Sequence, residues 1–179
     1  MHNTYSLTLV GCLPVAQWRV QKVDQIELAI MQKEVGGYVE QIHIFPDLEQ
    51  KSIAAFANEE GKLTNLPPVL NIINSSGQVL DTIVGNVLFL KEKGEELEGL
   101  SADEVKDIVE KSGLDDIGYV TLSEGCSKDF GSWFPKGKRI IIAELLGSNA
   151  GKIFIKRRRH ADVRNRKREN CKKIYRNDR

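Results

Sequence analysis

Several kinds of chemistry are set aside by what this sequence does not hold. Its three cysteines, Cys12, Cys126 and Cys171, are odd in number and far apart. That spacing argues against a disulfide framework and against a zinc site. No run reaches the roughly 18 apolar residues that a membrane-spanning helix needs. The opening "MHNTYSLTLVGCLPVA" has a short apolar stretch but no basic segment before it, so no secretory leader is expected and the cytoplasm is the expected compartment. "GSNAGK" fails as a phosphate loop, because Leu146 stands where the first glycine belongs and Ile153 follows Lys152 in place of Ser or Thr. Ser123, Cys126 and Ser127 lack an identifiable base and orienter. Glu59, Glu60 and Asp81 have oxygen ligands but no cation-loop spacing. No catalytic residue, metal or cofactor is therefore assigned, and binding rather than catalysis is the expected mode of action.

What is present is a division of charge. Residues 152–179 hold 13 Lys or Arg against 3 acids, a net of +10, while residues 1–151 hold 13 against 22, a net of −9. The net charge of +1 hides this split. The basic run falls into clusters. "KRRRH" supplies Lys156, Arg157, Arg158 and Arg159. "RNRKREN" supplies Arg164, Arg166, Lys167 and Arg168, and "KKIYR" supplies Lys172, Lys173 and Arg176. Such a segment draws phosphate backbones by counterion release whatever their sequence, and nothing in it forms a base-reading code. DNA or RNA is the expected partner of this run, and a protein is the expected partner of the acidic body. A membrane is not expected, because bulky apolar anchors are few.

A hydrophobic fraction of 41% is enough for a core, and the pattern along the chain predicts an α+β fold. Its sheet is expected to be small, mixed or antiparallel, with two or three packed helices. Residues 1–155 are expected to form the compact domain, and 156–179 a basic extension that can continue as a helix. Strands are predicted at Tyr5–Gly11 and Trp18–Val23. A largely buried helix is predicted from Asp24, answered by Glu27, to a stop at Gly36 or Gly37. "YVEQIHIF" (Tyr38–Phe45) alternates as a strand and should pair with the segment 51–61 as a hairpin. Glu40 and His43 then face opposite ways, which weakens them as a catalytic pair. Pro67 and Pro68 make the stretch 62–80 irregular. Asp81–Lys91 is the strongest apolar run of this region and reads as one central strand, with Gly85 marking a bulge or a close backbone approach. An acidic loop follows. Ser101 and Glu104 then form a capping box, Leu100 and Val105 a staple, and Gly113 the stop of a helix that buries Ala102, Val105, Ile108 and Val109. "YVTL", "RIIIAELL" and "KIFI" read as further strands, and Trp133 and Phe134 are expected to pack under a loop rather than stack on bases.

The segments "LAIMQKEVGGYVEQIHI", "NEEGKLTNLPP", "DTIVGNVLFL" and "GLSADEV" resemble DUF3846, a family of uncharacterised domains, over roughly Asp24 to Val109. Such domains occur in phages, plasmids and other bacterial mobile elements, so the resemblance implies a small accessory protein of that kind. It implies no catalytic residue. The family pattern often places Asn-Arg after Leu-Pro, where this chain has Pro68 and Val69. Among the shared residues, Tyr38, Glu40 and Glu59 form a small polar pocket if they converge. A carboxylate-lined pocket of that kind is the alternative in which the chain is an enzyme. A modulator of a host protein, acting through the acidic body, is the other alternative.

Overall fold

The computed structural model describes residues 2–12, 15–114, 117–144 and 152–156. The run from Arg157 to Arg176, and the helix expected there, lie outside the described residues.

β1 (Thr4–Cys12) and β2 (Val15–Val23) form an antiparallel hairpin in continuous register, with Leu7 opposite Val20 and Leu9 opposite Trp18. Alternation decides their two faces. Tyr5, Leu7, Leu9, Trp18 and Val20 are fully buried on one, and Ser6, Thr8, Gln17, Arg19 and Gln21 lie on the other. This hairpin is the middle of a mixed nine-stranded sheet. On one side β1 pairs with β7 (Val87–Lys93), which pairs with β4 (Ile53–Asn58), which pairs with β3 (Val39–Ile42) at the edge. The short β8 (Glu96–Glu98) folds back on the end of β7. On the other side β2 runs parallel to β9 (Tyr119–Leu122), and β9 runs parallel to β10 (Arg139–Glu144). β11 (Lys152–Lys156) pairs antiparallel with β10 and closes that edge. A second sheet has two strands, β5 (Pro68–Ile73) and β6 (Val79–Val84).

The first face of the large sheet is covered along most of its width. α3 (Ala102–Lys111), the single turns α2 (Pro46–Glu49) and α4 (Ser127–Phe130), and the β5–β6 ribbon all add to one core. Phe89 lies at its centre, with its ring 5.6 Å from Trp18 and 5.3 Å from Phe45. Each buried aromatic removes about 150–250 Å² from water, so such a cluster supplies several kcal/mol. α3 starts as its sequence dictates: the Ser101 hydroxyl accepts from the Glu104 N–H at 3.2 Å, and the Glu104 carboxylate accepts from the Ser101 N–H at 2.9 Å. Leu100 and Val105 are both fully buried as the staple, and Ala102 packs at the rim of the core.

On the second face, α1 (Leu28–Val35) packs on β7, β4 and β3. Met31 and Val35 meet Ala54, Phe56, Leu88 and Leu90 in a smaller apolar cluster.

Several expectations are corrected here. The sheet is mixed but large. α1 begins at Leu28, not near Asp24, because neither Asp24 nor Glu27 caps it with a side chain. It buries only Met31, Glu34 and Val35, and Leu28 is 63% exposed, so the helix is half-buried. Its stop is as expected, with Gly36 at a φ of 82°. The run Asp81–Lys91 is two strands in two different sheets. Gly85 divides them at a φ of 75°, and a side chain there would meet Leu66 Cδ1 at 2.8 Å. Pro68 opens β5 rather than leaving the segment irregular, which its place in a two-stranded ribbon permits. Part of the acidic loop is β8. β3 ends at Ile42, so Phe45 escapes the expected alternation and joins the main core.

Candidate functional site

The two halves of the large sheet differ in charge and in cover. β2, β9, β10 and β11 carry Arg19, Lys22, Arg139, Lys152 and Lys156 against one acid, Glu144. β3, β4, β7 and β8 carry Glu40, Glu92, Glu96 and Glu98 against Lys91 and Lys93. The body is acidic as a whole, but the strands at one end of the sheet hold few of its acids, Glu124 just beyond β9 being the nearest described exception.

Among the described residues, no helix packs on the second face at that end. Gln17, Arg19, Gln21, Tyr119, Thr121 and Ile141 are half-buried there and Arg139 is exposed. The register aligns them: Arg19 is beside Thr121, Thr121 beside Ile141, and Tyr119 beside Arg139. The Thr121 hydroxyl donates to Gln17 Oε1 at 3.0 Å, across the β2–β9 seam. Lys156, where the basic run starts, pairs with Ile140 on β10, the residue after Arg139.

A buried polar cluster marks where cover ends. Glu34, in the last turn of α1, is 7% exposed. Its carboxylate accepts from the Arg19 guanidinium and, at 3.2 Å, from the Thr8 hydroxyl. Its backbone carbonyl accepts from Asn86 Nδ2 at 2.9 Å. These bonds pin α1 to β1, β2 and the start of β7. Sequence patterning missed the cluster, because a glutamate in a short polar helix reads as solvent-facing. Arg19 stands at an ordinary outward position of an alternating strand, so it gave no signal either.

On the acidic side, α1 and the β7–β8 hairpin border a cleft of about 810 Å³. Asp24, Glu27, Glu95, Glu96 and Glu98 line it, with Leu28 and Met31 as its apolar wall. A second cleft, of about 670 Å³, lies between α1 and the end of β2 and is lined in part by Gln21, Lys33, Glu34 and Glu124.

Of the expected pocket, Tyr38, Glu40 and Glu59 are all exposed at the β3 edge. The Glu59 N–H donates to the Tyr38 carbonyl at 2.9 Å, which joins their backbones. None of the three lines either cleft. His43 is exposed and lies 3.0 Å from a Glu49 oxygen. No group of three or more His, Cys, Asp or Glu suited to a metal occurs among the described residues. Cys126 is buried with its sulfur 3.5 Å from the Val20 carbonyl, and burial pushes its thiol up to about 11, which suits a structural residue. The Tyr5 hydroxyl donates to Asp129, joined by Asn3 at 3.0 Å. Burial first, then that carboxylate, raises the Tyr5 phenol, and the two donors hold Asp129 below the usual carboxylate range. This trio ties β1 to α4. Trp133 packs 5.6 Å from Phe130 and donates to Glu110 at 2.8 Å, so it serves the core as expected, whereas Phe134, expected to pack with it, is 37% exposed. No described helix is long and apolar enough to cross a membrane.

Residues 11–113 match the family described as "Domain of unknown function (DUF3846)". The match reaches further at both ends than the motifs between Asp24 and Val109. It takes in β2 and the whole of α3, and leaves out β9, β10 and β11. No curated protein and no solved structure matches the chain significantly.

Proposed function

The chain belongs to the DUF3846 family, and from that premise we propose that it is an accessory binding protein of a bacterial mobile element. It acts without catalysis and contacts nucleic acid through the basic run from Lys156 to Arg176. The observation that carries this reading is the split between +10 in residues 152–179 and −9 in the rest. Contact is with the phosphate backbone and independent of sequence. The basic character of β2, β9, β10 and β11 supports it, because Lys156, where the run begins, is the last residue of β11 at that end of the sheet.

The test is fluorescence anisotropy with labelled 20-mers of DNA and RNA over a range of salt concentrations. Replacing Arg157, Arg158, Arg159, Arg164, Arg166, Lys167 and Arg168 with glutamine in the full chain should weaken binding at least ten-fold at moderate salt. The slope of log K against log salt should flatten by roughly 0.7–0.9 for each phosphate that is no longer neutralised. A variant that binds as tightly as the parent, with the same slope, would sink the proposal.

The acidic cleft favours a second reading, in which a protein partner with a basic, partly apolar segment is held beside Leu28. Reversing Glu95, Glu96 and Glu98 to lysine would then abolish that partner's co-purification, while the tail substitutions would leave it intact.

A further inference from the structure

We infer that the half of the second sheet face on which no described helix packs, formed by β2, β9 and β10, is itself a binding surface for single-stranded nucleic acid. The inference rests on the reading that this protein contacts nucleic acid, and it adds where the bases go.

Three features of the face carry it. Its charge favours a polyanion on the β10 side: Arg139 is exposed, and residues 16–23, 119–122 and 139–142 place no acid on this face, while Glu34 and Glu124 lie at the α1 border beside Gln21. Its chemistry is that of a platform for unpaired bases. Tyr119 offers an aromatic ring beside Arg139, and Gln17, Gln21 and Thr121 offer donors and acceptors in the neighbouring rows. Stacking on an aromatic ring tolerates any base, and amide side chains can bond base edges that pairing would conceal. Its geometry is open. α1 covers β7, β4 and β3 and stops at the Glu34–Arg19 pair, and among the described residues no helix packs on this face over the two strand spacings, of roughly 4.8 Å each, from β2 to β10. Arg19 is engaged by Glu34 and positions the edge of the platform. Arg139 and Tyr119 are the residues that touch the strand.

A duplex presents its phosphates but not the faces of its bases, so the platform predicts a preference that the basic run alone would not give. The full chain should bind fluorescein-labelled dT20 or rU20 more tightly than a duplex 20-mer, by about ten-fold at equal salt. Tyr119→Leu should remove most of that preference and leave the salt slope unchanged, while Tyr119→Phe keeps the preference. Arg139→Gln, at an exposed position, should reduce the salt slope by roughly one.

The outcomes separate the two readings. If the tail substitutions abolish binding while Tyr119→Leu and Arg139→Gln leave single-strand and duplex affinities unchanged, the platform is wrong and the basic run stands. Loss of the single-strand preference in Tyr119→Leu, with the tail variant still binding, means that the run is wrong and the platform stands. Equal affinity of the full chain for single strand and duplex also overturns the platform.

Discussion

Among the described residues, one end of the nine-stranded sheet is covered on both faces and its strands carry acids; the other is covered on one face and its strands carry basic residues. β7 shows what the first condition does to a sequence. Val87, Leu88, Phe89 and Leu90 are all buried, because alternate residues serve the main core and the α1 cluster. β2 shows the second. Trp18 and Val20 are buried, while Gln17, Arg19 and Gln21 between them are half-buried and polar. A continuous apolar run marks cover on both faces, and clean alternation marks a face left open.

The largest effect should come from breaking the covered end. Leu88 and Leu90 are 1% and 0% exposed beneath α1. Leu88→Ala should destabilise the protein by about 2–5 kcal/mol through reduced burial and a residual cavity. Thr121→Ala, on the other half, should cost about 0.5–1 kcal/mol, mostly its hydrogen bond to Gln17. Urea unfolding followed by circular dichroism measures both. Comparable losses at the two positions would mean that the open half is packed after all.

A smaller effect should appear at the seam. Arg19→Met leaves the Glu34 carboxylate nearly buried with only the Thr8 hydroxyl bonded to it. Removing one partner of a buried pair costs about 3–5 kcal/mol. Because the Arg19 side chain is 30% exposed, water can reach the site and roughly 2 kcal/mol is the better expectation. The double variant Arg19→Met/Glu34→Met should recover most of that loss. A double variant no more stable than Arg19→Met alone would mean that the charge of Glu34 is not what destabilises it.

The difference between the halves also explains how far the sequence could be read. Where one rule governed a segment, the expectation held. The Ser101–Glu104 box, the Gly36 stop, the β3–β4 hairpin and the strands at Tyr119 and Arg139 are local patterns with local causes. The failures occurred where a tertiary choice overrode a local pattern. Asp81–Lys91 reads as one strand, but Gly85 hands the chain from one sheet to another within it. Asp24 and Glu27 have cap spacing, yet α1 starts later, where Met31 and Val35 can reach Leu88 and Phe56. The basic run was legible as composition alone, and its residues from Arg157 onward lie outside the described structure. The platform was not legible at all. It depends on β9 inserting parallel between β2 and β10, which places Tyr119, Gln17 and Arg139 in adjacent rows from three distant parts of the chain.

The acidic half should also reveal itself through pH, by the smallest of these effects. The Lys91 ammonium lies 2.6 Å from Glu104, beside the Ser101 N–H of the capping box. Burial alone would raise the Glu104 carboxyl; the Lys91 bond and the Ser101 N–H outweigh it and hold it below its ordinary 4.5. Asp107, held by Lys111 and Lys51, is lowered in the same sense. A carboxylate that is more acidic in the folded state contributes stability that is complete above its unfolded value, and that is lost as pH falls through the folded one. Stability should therefore decline from about pH 4.5 downward. Both partners of the Lys91–Glu104 pair are about 30% exposed, so its share is on the order of 0.5 kcal/mol. Glu104→Gln keeps an acceptor for the Ser101 N–H and removes the charge, so the variant should lose less stability than the parent between pH 5 and pH 3. Urea melts at the two pH values measure that difference. An identical acid loss in the variant would assign the pH dependence to other carboxylates, such as Asp107 or Asp129, and would leave Glu104 as a cap alone.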